Sequence, residues 1–173
     1  MANFSKPIFM VVVGGALYLA GSLLGGSDDG VIHYDGNDLT MNEAQNEAQR
    51  SLPDFLANKL DANGVAVEGA MVKVAFPVTR EGVTGDEVIW VGPFGQMGGA
   101  FAGLLANQPV DMGGNAGDAV EFTQDMIRDW TYQGADGKLY GNYTTRVMLA
   151  DMDSGQAAQI SQILSADPVP TRW

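Results

Sequence analysis

The chain has no cysteine and a single histidine among its 173 residues. Without cysteine there is no disulfide, no thiolate metal ligand, no cysteine nucleophile and no sulfur to carry a lipid. One histidine, His33, cannot supply the usual nitrogen and sulfur set of a zinc site. A serine nucleophile fares no better, because no G-x-S-x-G elbow occurs and the lone imidazole lies in a polar, turn-rich stretch. Positive charge is scarce as well: 9 Lys and Arg face 21 Asp and Glu, a formal net charge of −12. That surface repels phosphate backbones and no basic cluster offsets it, so nucleic acid is not an expected partner. No cofactor is expected.

What is present is an ordinary core composition, 46% hydrophobic, broken by 23 glycines and 7 prolines. So many turn formers point to short strands more than to a helical bundle. Pro7 to Leu24, "PIFMVVVGGALYLAGSLL", carries no charge, follows Lys6 and precedes Asp28 and Asp29. A basic start, apolar middle and acidic exit read as an inserted segment with its amino end in the cytoplasm. Residues 1–26 are therefore expected to be a signal peptide or an N-terminal membrane anchor. Ala16 with Ala20, and Gly21 with Gly25, are small-residue pairs able to pack helices, although such pairs are common in apolar segments. Either fate of the leader puts the rest on the extracytoplasmic face of the inner membrane, in the periplasm or secreted. Residues 27–39 read as a tether.

From Thr40 the pattern becomes helical. Thr40 and Glu43 have capping-box spacing, and Ala44, Ala48, Leu52, Leu56 and Leu60 recur every fourth residue as one apolar stripe. Pro53 predicts a bend or restart, with Ser51 as a second cap, and Gly64 an end. Strand signals follow in "AMVKVAFPV", "DEVIWVGPF", "AFAGLLAN", "AVEFT", "MIRDWTY" and "KLYGNYTTRVML", then a short helix in "GQAAQISQILS" and a loose tail from residue 166. Connections this short force antiparallel pairing. The expected architecture is α+β: a long helix packed on a curved antiparallel sheet of about six strands, then a short helix, in one domain over 40–165.

"EAQRSLPDFL", "VKVAF", "EVIWV", "GLLANQPV", "GDAVEFTQDMIRDW" and "YGNYTTRVML" occur in the order found in the YegJ-like bacterial domain of unknown function, which the chain resembles over roughly Met41 to Leu149. The resemblance implies a small α+β domain, often exported. It implies no activity and no catalytic residues.

Two kinds of oxygen-rich site survive the composition, and one of them is enzymatic. Calcium needs only oxygens, and Asp35, Asn37 and Asp38, or Asp111, Asn115 and Asp118, lie in oxygen-rich loops; neither has EF-hand spacing, and such loops are mostly turns. Paired carboxylates are the other, from Glu87, Glu121, Asp125 and Asp129, which flank expected strand ends. They support, as an alternative, an envelope hydrolase acting on glycans or cell-wall polymer. The leading expectation is a non-catalytic binding domain. Trp90, Trp130, Tyr132, Tyr140 and Tyr143 would form a shallow aromatic groove, with Asn107, Asp129 and Arg146 as polar contacts to an envelope protein or a cell-wall polymer. The plainer expectation is packing: the rings close one end of the sheet, and Asp129 binds turn amides or pairs with Arg146.

Overall fold

A computed structural model describes residues 8–12, 31–35, 38–80 and 82–173. Most of the expected leader, with its small-residue pairs, and the Asn37 position of the first oxygen-rich loop lie outside the described residues. Two strands come from the amino-terminal region, β1 (Ile8–Val12) and β2 (Val31–Asp35), the latter within the stretch read as a tether. No helix among the described residues is long and apolar enough to cross a membrane.

The architecture is α+β. Helix α1 (Leu39–Lys59) is followed by β3 (Met71–Arg80), β4 (Val83–Met97), β5 (Ala100–Leu105), β6 (Ala119–Phe122), β7 (Ile127–Gln133) and β8 (Leu139–Gly141), then α2 (Tyr143–Met148) and α3 (Ser154–Ile163). Strands β3 to β8 pair antiparallel in the order β6-β5-β4-β3-β7-β8. Strand β1 joins the first half of β4 in parallel and carries β2 on its other side.

Helix α1 starts two residues earlier than its capping box suggests. Asp38, not Thr40, is the cap, its carboxylate accepting from the amides of Thr40 and Met41 at 2.9 Å each. The helix also runs through Pro53 without restarting. Pro53 is exposed and removes one ladder bond, while Leu52, Phe55 and Leu56 around it are buried and hold the turn in place. Ser51 is not a cap: its hydroxyl bonds back to the carbonyls of Glu47 and Ala48, both at 3.1 Å. The stripe packs on Val72, Val74, Ile89, Val91 and Trp130, with the Phe55 and Trp130 rings stacked at 4.7 Å between centroids.

The largest departure is at the sixth expected strand. Residues 138–149 make a three-residue strand, a left-handed turn at Asn142 (φ 55°, ψ 38°) and then α2. Tyr, Thr and Val in alternation read as strand, but the Asp129 carboxylate gathers the Tyr143 and Thr144 amides and starts a helix. Gly141 makes the approach possible, since a Cβ there would sit 2.1 Å from the Trp130 carbonyl oxygen. The tail is not loose either. Trp173 reaches back to Trp130 and Tyr132, with centroids 5.6 and 5.9 Å apart.

Candidate functional site

The register across three central strands decides what the expected site residues can do together. Trp90, Lys73 and Asp129 are neighbours on β4, β3 and β7, and so lie side by side on one face; Val91, Val72 and Trp130 do the same on the other. The expected groove is thereby split, with Trp90 on one face of the sheet and Trp130 on the other. Trp90 and Trp130 are 0% exposed. A register shift opposite Lys73 and Val74 also moves Ile127 to the Trp130 face, against a strict alternation with Asp129.

On the Trp130 side, rings do gather. Trp130, Tyr132 and Tyr140 form a stacked row, with centroid separations of 6.4 Å and 5.3 Å, and Tyr143 meets Trp130 edge-on at 5.9 Å. The indole N–H of Trp130 donates to the Ala48 carbonyl (3.2 Å) and to Ser51 Oγ (3.0 Å), and the Ser51 and Tyr143 hydroxyls share a hydrogen bond of 2.9 Å. One serine thus ties α1, β7 and α2. Burial raises the Tyr143 phenol above its ordinary pKa.

On the opposite side the Asp129 carboxylate accepts from the amides of Trp130 (2.8 Å), Tyr143 (3.2 Å) and Thr144 (2.8 Å), and from the Thr144 hydroxyl (2.7 Å). The Lys73 ammonium donates to Thr144 Oγ1 at 2.8 Å and lies 4.8 Å from the Trp90 ring centroid. Lys73 reaches Asp129 through the threonine hydroxyl. Burial brings Lys73 down to about 8, with Asp129 opposing, and pushes Asp129 up, with Lys73 and the Thr144 bonds opposing. Both residues are 0% exposed, so this is an internal clasp, closed to a substrate. Asp129 binds turn amides, as the packing expectation has it. Arg146 instead donates to the carbonyls of Gly141 (3.0 Å) and Ser165 (2.9 Å) and to Ser165 Oγ (3.2 Å). Its burial lowers the guanidinium pKa, with Asp129 opposing.

A second buried carboxylate, Glu87, holds the loop after β5. It accepts from the amides of Val110 (2.6 Å), Asp111 (2.9 Å) and Met112 (2.7 Å). Asn107 sits in that loop, buried, next to the Ala106 amide that donates to the Trp90 carbonyl at 2.8 Å. Glu87 shares a face with Ile89 and Val91, away from Asp129, and Glu121 and Asp125 are exposed. In the same loop Asp118 accepts from the Asn115 amide at 2.8 Å, an ordinary turn contact. Among the described residues no three His, Asp or Glu side chains stand together as a metal-binding group.

Two of the eight expected residues do border open space. Tyr140 and Arg146 line a cleft of about 760 Å³, walled by the β7–β8 turn, α2, α3 and the tail. Asp136, Lys138, Ser165 and Asp167 join them there. These four went unnoticed in the sequence because they sit in a turn and in a tail without periodicity. Lys73 went unnoticed as a buried charge, although it stands in a strand between Met71 and Ala75 with apolar neighbours on its own face.

Fold and site together define a small α+β domain whose buried carboxylates hold backbone amides and which, among the described residues, carries an open cleft edged by charged side chains at one end of the sheet. The chain belongs to the DUF2314 family, described as an uncharacterised protein conserved in bacteria, over residues 38–165. That span begins at the helix cap Asp38 and is wider than the Met41 to Leu149 of the YegJ-like resemblance. No curated protein and no solved structure matches the chain.

Proposed function

We propose that this DUF2314 chain is a YegJ-like, non-catalytic binding module of the bacterial cell envelope, exported or tethered by its amino-terminal apolar stretch, with the Tyr140–Arg146 cleft as its recognition surface. One observation carries the reading: the cleft of about 760 Å³ is open and sets a few charged side chains into a largely apolar lining, within the roughly 300–1,000 Å³ of small-ligand sites. The carboxylates support it from the other side. Glu87 and Asp129 are spent on backbone amides, which leaves a carboxylate-based envelope hydrolase with less behind it. Partners in this reading are an envelope protein or a cell-wall polymer, and residues 7–24 supply membrane contact if the leader is retained.

The test is cross-linking in intact envelopes with the full chain, beside Tyr140→Ala and Asp167→Ala variants. A discrete partner is expected with the parent chain and loss of it with both variants, at unchanged circular dichroism. Equal recovery from all three would place recognition elsewhere. Protease added to spheroplasts should cut the domain from outside.

A further inference from the structure

The cleft's charges and donors define what fits it, given that it is the recognition surface proposed above. Four charged side chains border it, Asp136 and Asp167 against Lys138 and Arg146, so its formal charge balances to zero inside a chain of net charge −12. A balanced cleft attracts neither a polyanion nor a polycation. The cations are also partly committed. Arg146 spends three of its five N–H groups on Gly141 and Ser165, and Lys138 donates to the Gln162 carbonyl. Asp136 is committed too, accepting from the Lys138 amide and the Tyr140 hydroxyl at 3.0 Å each.

Asp167 is different. It is exposed, and its charge bears on both Tyr140 and Arg146. Its carboxylate stands more than 4.0 Å from the Arg146 guanidinium and makes no ion pair with it. An acceptor and a donor thus face one cleft without touching, beside an aromatic ring. The ligand that completes such a pair offers donor and acceptor on adjacent atoms, without net charge, and an apolar face for the ring.

We propose that the cleft binds a neutral saccharide, two neighbouring hydroxyls bridging Asp167 and Arg146 while the ring carbons lie against Tyr140. Hydroxyls both donate and accept. A net-neutral ligand needs no counter-charge from the protein.

The experiment titrates the full chain with a neutral tetrasaccharide of N-acetylglucosamine, following calorimetric heat at low and high salt. Inorganic phosphate and a lysine-rich peptide serve as parallel probes. Saturable binding insensitive to salt is expected for the saccharide, weakened about tenfold by Asp167→Ala, as fits one charge-assisted hydrogen bond. Asp167→Asn, which keeps an acceptor oxygen, should retain part of the affinity. Binding of phosphate or peptide in place of saccharide, no saccharide binding, or equal binding by Asp167→Ala would each overturn the saccharide. Failure is distinguishable from failure of the binding reading: if the envelope partner is still lost with Asp167→Ala while no saccharide binds, the cleft recognises something else.

Discussion

Asp129 and Lys73 are cross-strand neighbours with no exposed surface, yet they do not touch, because Thr144 stands between them. Removing either partner leaves a buried charge without its counterpart, a change that typically costs about 3–5 kcal/mol. Asp129→Ala also takes the acceptor away from three amides, two of them at the start of α2. Urea unfolding should place Asp129→Ala in that range, and Asp129→Asn below it, since one acceptor oxygen remains. Equal stability of the alanine variant would mean the clasp holds nothing. The pH dependence follows from Lys73, lowered from 10.5 to about 8. Between those values the unfolded chain holds a proton that the folded one lacks, so this contribution is complete above 10.5 and lost as pH falls through about 8. Its size is roughly 3 kcal/mol. Asp129 is raised and gives the opposite slope above 3.8; the raised tyrosines act beyond 10. Unfolding free energy should therefore climb between pH 8 and 10, and Lys73→Met should remove most of the climb. Lys59 is lowered as well and accounts for a remainder.

At the scale of elements, the sequence exposes what local periodicity records and hides what a distant side chain imposes. Helix α1 was legible because Ala44, Ala48, Leu52 and Leu56 repeat at helical spacing and all are buried. Strands β3 to β7 were legible from alternation and from the turn residues between them. The Tyr143–Met148 helix was not, because "YTTRVM" has strand propensity and its start is dictated by a carboxylate fourteen residues earlier in the chain. The site was less legible still. The rings of Trp130, Tyr132, Tyr140 and Tyr143 do lie together, but no pattern in the sequence says which face of the sheet Trp90 takes. The loop after β5 is the other element governed from a distance. Glu87 accepts three consecutive amides there, so Glu87→Ala strands three part-buried donors, at up to about 1 kcal/mol each once water reaches them. Limited proteolysis should cut the Glu87→Ala chain between Val110 and Asp118 while the parent resists. Resistance in both would mean that the loop is held by the Gln108 and Asp118 side-chain hydrogen bonds without Glu87.

For the whole molecule, the question is how a sheet with its long helix on one side is closed at the end where β7 and β8 finish. The tail does this. Pro168 accepts the Gly141 amide at 2.7 Å, and the chain then carries Trp173 onto Trp130 and Tyr132. Lys59, at the end of α1, lies 3.9 Å from the Tyr132 centroid and 5.7 Å from that of Trp173, so its ammonium sits against both rings. The same tail forms one wall of the cleft through Asp167, Val169 and Thr171. Helix end, aromatic row and cleft wall therefore move together or not at all. Trp173→Ala removes a part-buried indole, a loss of about 1–3 kcal/mol, and lets water reach Lys59. Burial is what lowers the Lys59 pKa, so exposure should return it toward 10.5, and an NMR titration of the Lys59 side chain would follow that rise. Cleft binding should weaken in the same variant, because Asp167 loses the anchored segment that positions it. A stable Trp173→Ala chain with an unshifted Lys59 would mean that the tail merely rests on the domain. The cleft would then have to be shaped by α2 and α3 without it.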